Sequence, residues 1–87
     1  STDYNVTAFP NPATDKVTIQ MSVENSSAVS LFIYDLMGKK IAILTNEEVV
    51  SSGIHSYTWN TSSVESGIYF YKLTIGNNSV SQKIVVR

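Results

Sequence analysis

Few side chains in this sequence could support metal binding. His55 is the only histidine, and the chain contains no cysteine. A single imidazole without thiolates cannot complete a closed transition-metal site, which leaves calcium bound by Asp and Asn oxygens as the alternative. On a strand, His55 shares a face with Tyr57 and Trp59, so we expect it to pack in the core or at its rim. We therefore predict no metal ion and no cofactor.

Carboxylates and hydroxyls are equally poor candidates for catalysis. Glu47 and Glu48 are adjacent, so on a strand they point to opposite faces, and in a loop they point to water. Acid–base catalysis instead requires two groups directed at one substrate. The sequence also lacks a Gly-x-Ser-x-Gly element and a glycine-rich phosphate loop. We predict that the protein is not an enzyme.

Aromatic residues offer a third kind of site, a platform on which sugar rings could stack. The candidates are Tyr57, Trp59, Tyr69, Phe70 and Tyr71. Alternation along strands places Tyr57 with Trp59 and Tyr69 with Tyr71, an arrangement that fills a small sandwich core. We expect a core role for this set, with carbohydrate binding as the alternative.

Composition argues against two classes of partner. The net charge is −1, and the six Lys and Arg residues are spread along the chain, so there is no basic stripe for phosphates and no nucleic-acid partner is expected. No run of about 18 apolar residues is present to cross a bilayer, so no membrane insertion is expected. Apolar residues at 43% and charged residues at 15% are typical of a globular domain.

The elements that must position these residues are strands. Residues 16–23 alternate polar and apolar at every step, which is the period of a strand with one buried face. Turn-forming clusters separate seven such runs, which are rich in β-branched and aromatic residues. The runs are residues 4–9, 16–23, 28–34, 40–44, 54–59, 68–75 and 80–86. Seven short strands predict an all-β fold, a seven-stranded antiparallel Ig-like β-sandwich.

The same alternation predicts the core and two hairpin turns. Asp35 can accept backbone N–H groups two residues further on, and Gly38 can adopt a positive φ. Gly76 opens a second turn, between the last two strands. The expected core consists of Val17, Ile19, Met21, Leu31, Ile33, Trp59, Tyr69 and Leu73.

Short motifs follow one another along the chain. Pro10 and Pro12 fix φ on either side of Asn11 and remove two N–H donors, which predicts a rigid corner before the first packed strand. The later motifs are Asp35-x-x-Gly38, the run from Gly53 to Trp59, the run that starts at Gly67, and residues 82–87. In this order they resemble the type IX secretion C-terminal sorting domains of Bacteroidetes, over nearly the whole chain.

The resemblance implies a function that composition does not show. It implies export through the periplasm to the cell surface or the extracellular space, recognition by type IX translocon components, and removal by a sortase-like cysteine peptidase. The cargo would be the N-terminal domains of the parent chain, released or attached to the surface. Because the chain starts at Ser1 without a methionine, we expect residues 1–87 to be a single sorting domain from the end of a longer protein.

Site residues are assigned by the resemblance alone. The charge at Arg87 is retained where the family often has lysine. The residues expected to shape the family's turns are Pro10, Asn11, Pro12, Asp35, Gly38 and Gly53. Those expected to be recognised by the translocon are Gly67, Tyr69, Lys72, Lys83 and Arg87. The alternative is an Ig-like accessory module for carbohydrate binding or adhesion, because that fold serves many functions.

Overall fold

Alternation of apolar and polar residues builds two antiparallel sheets in the computed structural model, which describes residues 5–87. The strands are β1 (Thr7–Phe9), β2 (Lys16–Val23), β3 (Ser27–Asp35), β4 (Lys40–Val50), β5 (Gly53–Asn60), β6 (Gly67–Ile75) and β7 (Asn78–Val86). One sheet has the order β1-β2-β5 and the other the order β4-β3-β6-β7. The predicted seven-stranded antiparallel Ig-like β-sandwich is confirmed.

The core lies between the two sheets and contains the predicted residues. Strands β2, β3 and β6 bury every second side chain, and all eight residues expected in the core are buried. Trp59 on β5 meets Tyr69 on β6 edge to face, with ring centroids 5.3 Å apart. This contact joins the two sheets across the core.

Two strand boundaries differ from the prediction by three or more residues. Tyr4 lies outside the described residues, and β1 begins at Thr7. Strand β4 continues to Val50, six residues past its predicted end at Leu44. Its pairing with β3 is irregular, and Glu47 has a φ of 52°. These bulges interrupt the period-2 pattern, so the sequence shows no alternation there although the strand continues.

Both predicted hairpin turns form. Asp35 Oδ1 accepts the backbone N–H groups of Met37 and Lys39, each at 2.9 Å, and Gly38 has a φ of 87°. Between β6 and β7, Ile75 pairs with Asn78 across a two-residue turn whose first residue, Gly76, has a φ of 59°. A glycine at that position matches the preferred short hairpin turns.

No helix in the described part of the chain is long and apolar enough to cross a membrane.

Candidate functional site

The proline corner, defined as Pro10, Asn11 and Pro12, lies against the last strand. Asn11 Oδ1 accepts the backbone N–H of Val85 at 3.0 Å, and Asn11 Nδ2 donates to the carbonyl of Lys83 at 3.3 Å. Both peptide bonds preceding the prolines are cis. The asparagine amide, with one acceptor and two donors, thus replaces a neighbouring strand for part of the β7 edge.

Ala13 extends this pairing to the end of the chain. Its N–H donates to the Val85 carbonyl and its carbonyl accepts the Arg87 N–H, each at 2.8 Å. Ala13 forms an isolated parallel bridge with Val86 and is fully buried. Residues 11–13 therefore cover the edge of the four-stranded sheet along residues 83–87.

The segment that follows the corner, residues 14–15, is hydrogen-bonded to the end of β5 in the three-stranded sheet. Thr61, just after β5, donates its N–H to the Asp15 carbonyl at 2.8 Å and its hydroxyl to the Thr14 carbonyl at 3.2 Å. Thr61 is the one buried polar residue among residues 5–87, and these bonds satisfy its N–H and its hydroxyl. The connection from β1 to β2 is thus fastened to both sheets.

The first half of β7 keeps an open edge. In an antiparallel ladder, alternate residues direct their main-chain groups to the same side. Since the main chains of Lys83 and Val85 face the corner, those of Ser79 and Ser81 face the same side, where no strand of the described chain is paired with them. This edge could accept an added strand over about half its length.

The residues assigned to translocon recognition divide between surface and core. Lys72, Lys83 and Arg87 are exposed, and so is Gly67, which pairs with Val86. Tyr69 is only 8% exposed, and its hydroxyl donates to the Glu65 carbonyl at 2.6 Å. Tyr69 therefore supports strand β6 from inside, and its ring is not available at the surface.

The three turn residues shape the chain at separate places. Asp35 and Gly38 form the β3–β4 turn described above, and Gly53 opens β5 opposite Val23 with a φ of 129°. A side chain at that φ would be strained. The turns lie outside the contact between the corner and β7.

A hydrogen-bonded pair, Glu48 and Tyr57, lies at the open edges of the two sheets, away from the corner. Glu48 Oε1 accepts the hydroxyls of Tyr57 and Thr45, each at 2.8 Å. These bonds hold the pKa of Glu48 below its usual range. Burial, followed by the bond to Glu48, raises the pKa of Tyr57 to about 12. The pair links β4 to β5.

His55 occupies the rim position expected for it. It is half-buried, and its Nε2 lies 2.7 Å from the Ser51 carbonyl oxygen. Among residues 5–87 no three His, Asp or Glu side chains gather in a way that could hold a metal ion.

The five aromatic residues considered as a sugar platform do not share a surface. Trp59, Tyr69 and Tyr71 are buried, and burial raises the pKa of Tyr71. Phe70 alternates with them on β6 and faces outward. Three of the rings therefore fill the core, Tyr57 packs at its margin, and sugar stacking on this set is not supported by the structure.

Sequence reasoning missed the contact between the proline corner and the last strand. The two segments are 72 to 74 residues apart in sequence. An asparagine between two prolines indicates a corner, but nothing in its local pattern specifies which strand it meets. The pairing only becomes visible once both sheets are assembled.

Comparison with known proteins identifies the family. The model of the secretion system C-terminal sorting domain matches residues 7–87, from β1 to the last residue. The chain belongs to this family, the sorting signal of type IX secretion, as the ordered motifs predicted. Membership implies export to the cell surface or extracellular space through an interaction with the type IX system. No curated protein shows significant similarity to this chain.

Proposed function

We propose that residues 1–87 act as one C-terminal export signal, which the type IX translocon recognises while the domain is folded. The cargo passes through the periplasm and crosses the outer membrane. A sortase-like cysteine peptidase then removes the domain, and the cargo is released or attached to the surface. The observation that carries this proposal is the family match over residues 7–87. We further propose that the domain has no catalytic role of its own.

Recognition is assigned to the β6–β7 hairpin, from Gly67 to Arg87. Lys72, Lys83 and Arg87 are exposed there, and the open edge at Ser79 and Ser81 offers main-chain groups to a receptor strand. Strand addition of this kind obtains affinity from backbone hydrogen bonds, and nearby side chains provide orientation. Strand integrity should therefore matter more than any single charge.

The corner is assigned as the boundary between cargo and signal. From Ala13 onward the chain is fastened to both sheets through Val85, Arg87 and Thr61. A peptidase needs an extended and accessible segment, and β1 is paired with β2, so cleavage belongs upstream of Thr7.

A reporter fusion tests the proposal in a host that has this secretion system. The full domain fused behind a fluorescent protein should carry the reporter outside the cell. Deletion of residues 83–87 should leave the reporter in the periplasm, because it removes the strand end that binds the corner. The double substitution Lys83→Ala/Arg87→Ala keeps the strand and should retain more than about half of the export.

Folding is measured in parallel, because the deletion also removes buried Ile84 and Val86. Protease resistance of each purified fusion separates a lost signal from a lost fold. Undiminished export of the truncated fusion would contradict a signal in the last hairpin. Surface cargo that still carries the domain would contradict cleavage and favour a retained adhesive or carbohydrate-binding module.

A further inference from the structure

The outer face of the four-stranded sheet carries an ordered row of cations and aromatic rings. Tyr34 on β3 pairs with Lys40 on β4 and with Phe70 on β6, and Phe70 pairs with Lys83 on β7. Residues paired across strands lie side by side on one face. The row across the sheet is therefore Lys40, Tyr34, Phe70 and Lys83, with an ammonium group at each end.

A second row runs beside the first. Phe32 pairs with Ile43 on β4 and with Lys72 on β6, which pairs with Ser81 on β7. The Lys40 Nζ lies 4.1 Å from the centroid of the Phe32 ring, which ties the two rows together by a cation–π contact. Ile43 is 56% exposed. We call these eight residues the outer-face patch.

The eight residues of the patch include three lysines and no carboxylate. Strands β6 and β7 contain no Asp or Glu. Among residues 5–87 no carboxylate lies within ion-pair distance of Lys40, Lys72 or Lys83. Glu47 borders the patch, because it lines one groove with Phe32 and its N–H donates to the Ser30 hydroxyl at 2.8 Å, but it forms no ion pair with the lysines. Three lysines therefore surround apolar surface and have no partner of opposite charge in the described chain.

We propose that the outer-face patch docks the acidic surface of a partner protein. The apolar side chains, Phe32, Tyr34 and Phe70 on the two middle strands and Ile43 on the edge strand, supply contact area, and the lysines beside them select carboxylates on the partner. Lys40 and Lys83 are three strand spacings apart, about 14 Å between their main chains. This separation suits a folded protein surface that presents several carboxylates.

The chemistry of the patch favours protein over an anionic glycan. The ring of Phe32 already carries the Lys40 ammonium group, so a sugar cannot stack there without displacing it. Asn46 and Glu47 line a groove with Phe32 at one end of the patch, but the two rows themselves contain no Asp, Glu, Asn or Gln side chain to fix sugar hydroxyls. The docking uses a sheet face, whereas strand addition uses the edge of β7, so the two can be tested separately.

Binding of an acidic polypeptide to the purified 87-residue chain tests the proposal. The probe is a fluorescently labelled random copolymer of glutamate and tyrosine, followed by anisotropy at low and high salt. Lys72→Glu should weaken binding at least about 10-fold. Lys16→Glu is the matched control, because Lys16 is an exposed strand residue in the other sheet and the charge change is identical. It should weaken binding less than about 3-fold.

Two further measurements test whether the patch itself is responsible and whether it prefers protein to other anions. Lys83→Glu serves as an independent variant in the patch, and circular dichroism confirms that each variant is folded. Heparin and vesicles of anionic phospholipid are tested in the same format. Absence of copolymer binding, equal losses for Lys72→Glu and Lys16→Glu, or tighter binding to heparin or vesicles than to the copolymer would overturn the proposal.

Discussion

The side-chain oxygen of Asn11 accepts the backbone N–H of Val85 at 3.0 Å. This bond joins the family's first motif to its last, because Asn11 stands in the proline corner and Val85 near the end of β7. The segment assigned as the boundary between cargo and signal is therefore in direct contact with the strand assigned to recognition. A change at one segment should be measurable at the other.

Substitution of Asn11 by alanine tests that contact. It removes the bonds to Val85 and Lys83, and since one hydrogen bond contributes about 0.5–1.5 kcal/mol, the free energy of unfolding should fall by about 1–3 kcal/mol. Hydrogen exchange at the Val85 amide should accelerate. Asn77→Ala, in the exposed β6–β7 turn, is the control and should show neither change. Unaltered exchange at Val85 in Asn11→Ala would show that another group protects this amide.

A proline in the open edge of β7 tests strand addition. Ser81→Pro removes an N–H that faces away from β6, so the hairpin should survive while a receptor strand loses a partner. Export of the reporter fusion should fall several-fold. Ser81→Ala keeps the N–H and should be exported normally. If the folded Ser81→Pro fusion is exported as well as Ser81→Ala, recognition does not use this edge.

Removal of the Trp59 ring tests the contact between the sheets. Trp59 is 6% exposed and packs against Tyr69, so Trp59→Ala should lower the free energy of unfolding by about 3–5 kcal/mol in denaturant titrations. Ile54, on the same strand, is 69% exposed, and Ile54→Ala should change the free energy of unfolding by less than about 0.5 kcal/mol. A loss below about 1 kcal/mol for Trp59→Ala would show that the ring contributes little to the core.

The Tyr57–Glu48 bond predicts a pH dependence with two limits. The pKa of Glu48 is lowered from 4.5 in the fold, so its contribution is present above about that pH and is lost as pH falls. The pKa of Tyr57 is raised from 10.0 to about 12, so its contribution is complete below pH 10.0 and is lost as pH rises towards 12. Tyr57→Phe should therefore reduce stability most between these limits.

Thermal unfolding across this pH range measures the difference between wild type and Tyr57→Phe. Tyr34→Phe is the control, because the Tyr34 hydroxyl has no hydrogen-bond partner among residues 5–87. It should leave the unfolding midpoint unchanged. A gap for Tyr57→Phe that persists unchanged in acid would mean that the Glu48 bond is not its cause.

The sequence by itself determined the strands, the core and the family. Period-2 alternation identified buried Val17, Ile19 and Met21, because a strand with one solvent-exposed face alternates polar and apolar residues. Asp35 and Gly38 identified their turn because their effects on the backbone are local. The ordered motifs identified the family, because each is a short segment that can be seen without the fold.

Only the tertiary structure decided which distant segments meet. Packing of the sheets brought Asn11 to Val85 and aligned Lys40, Tyr34, Phe70 and Lys83 in one row. Cross-strand register depends on the positions of bulges and on the order of strands within a sheet. These are properties of the assembled sheets, so local pattern could assign residues to strands and faces but could not assign their neighbours.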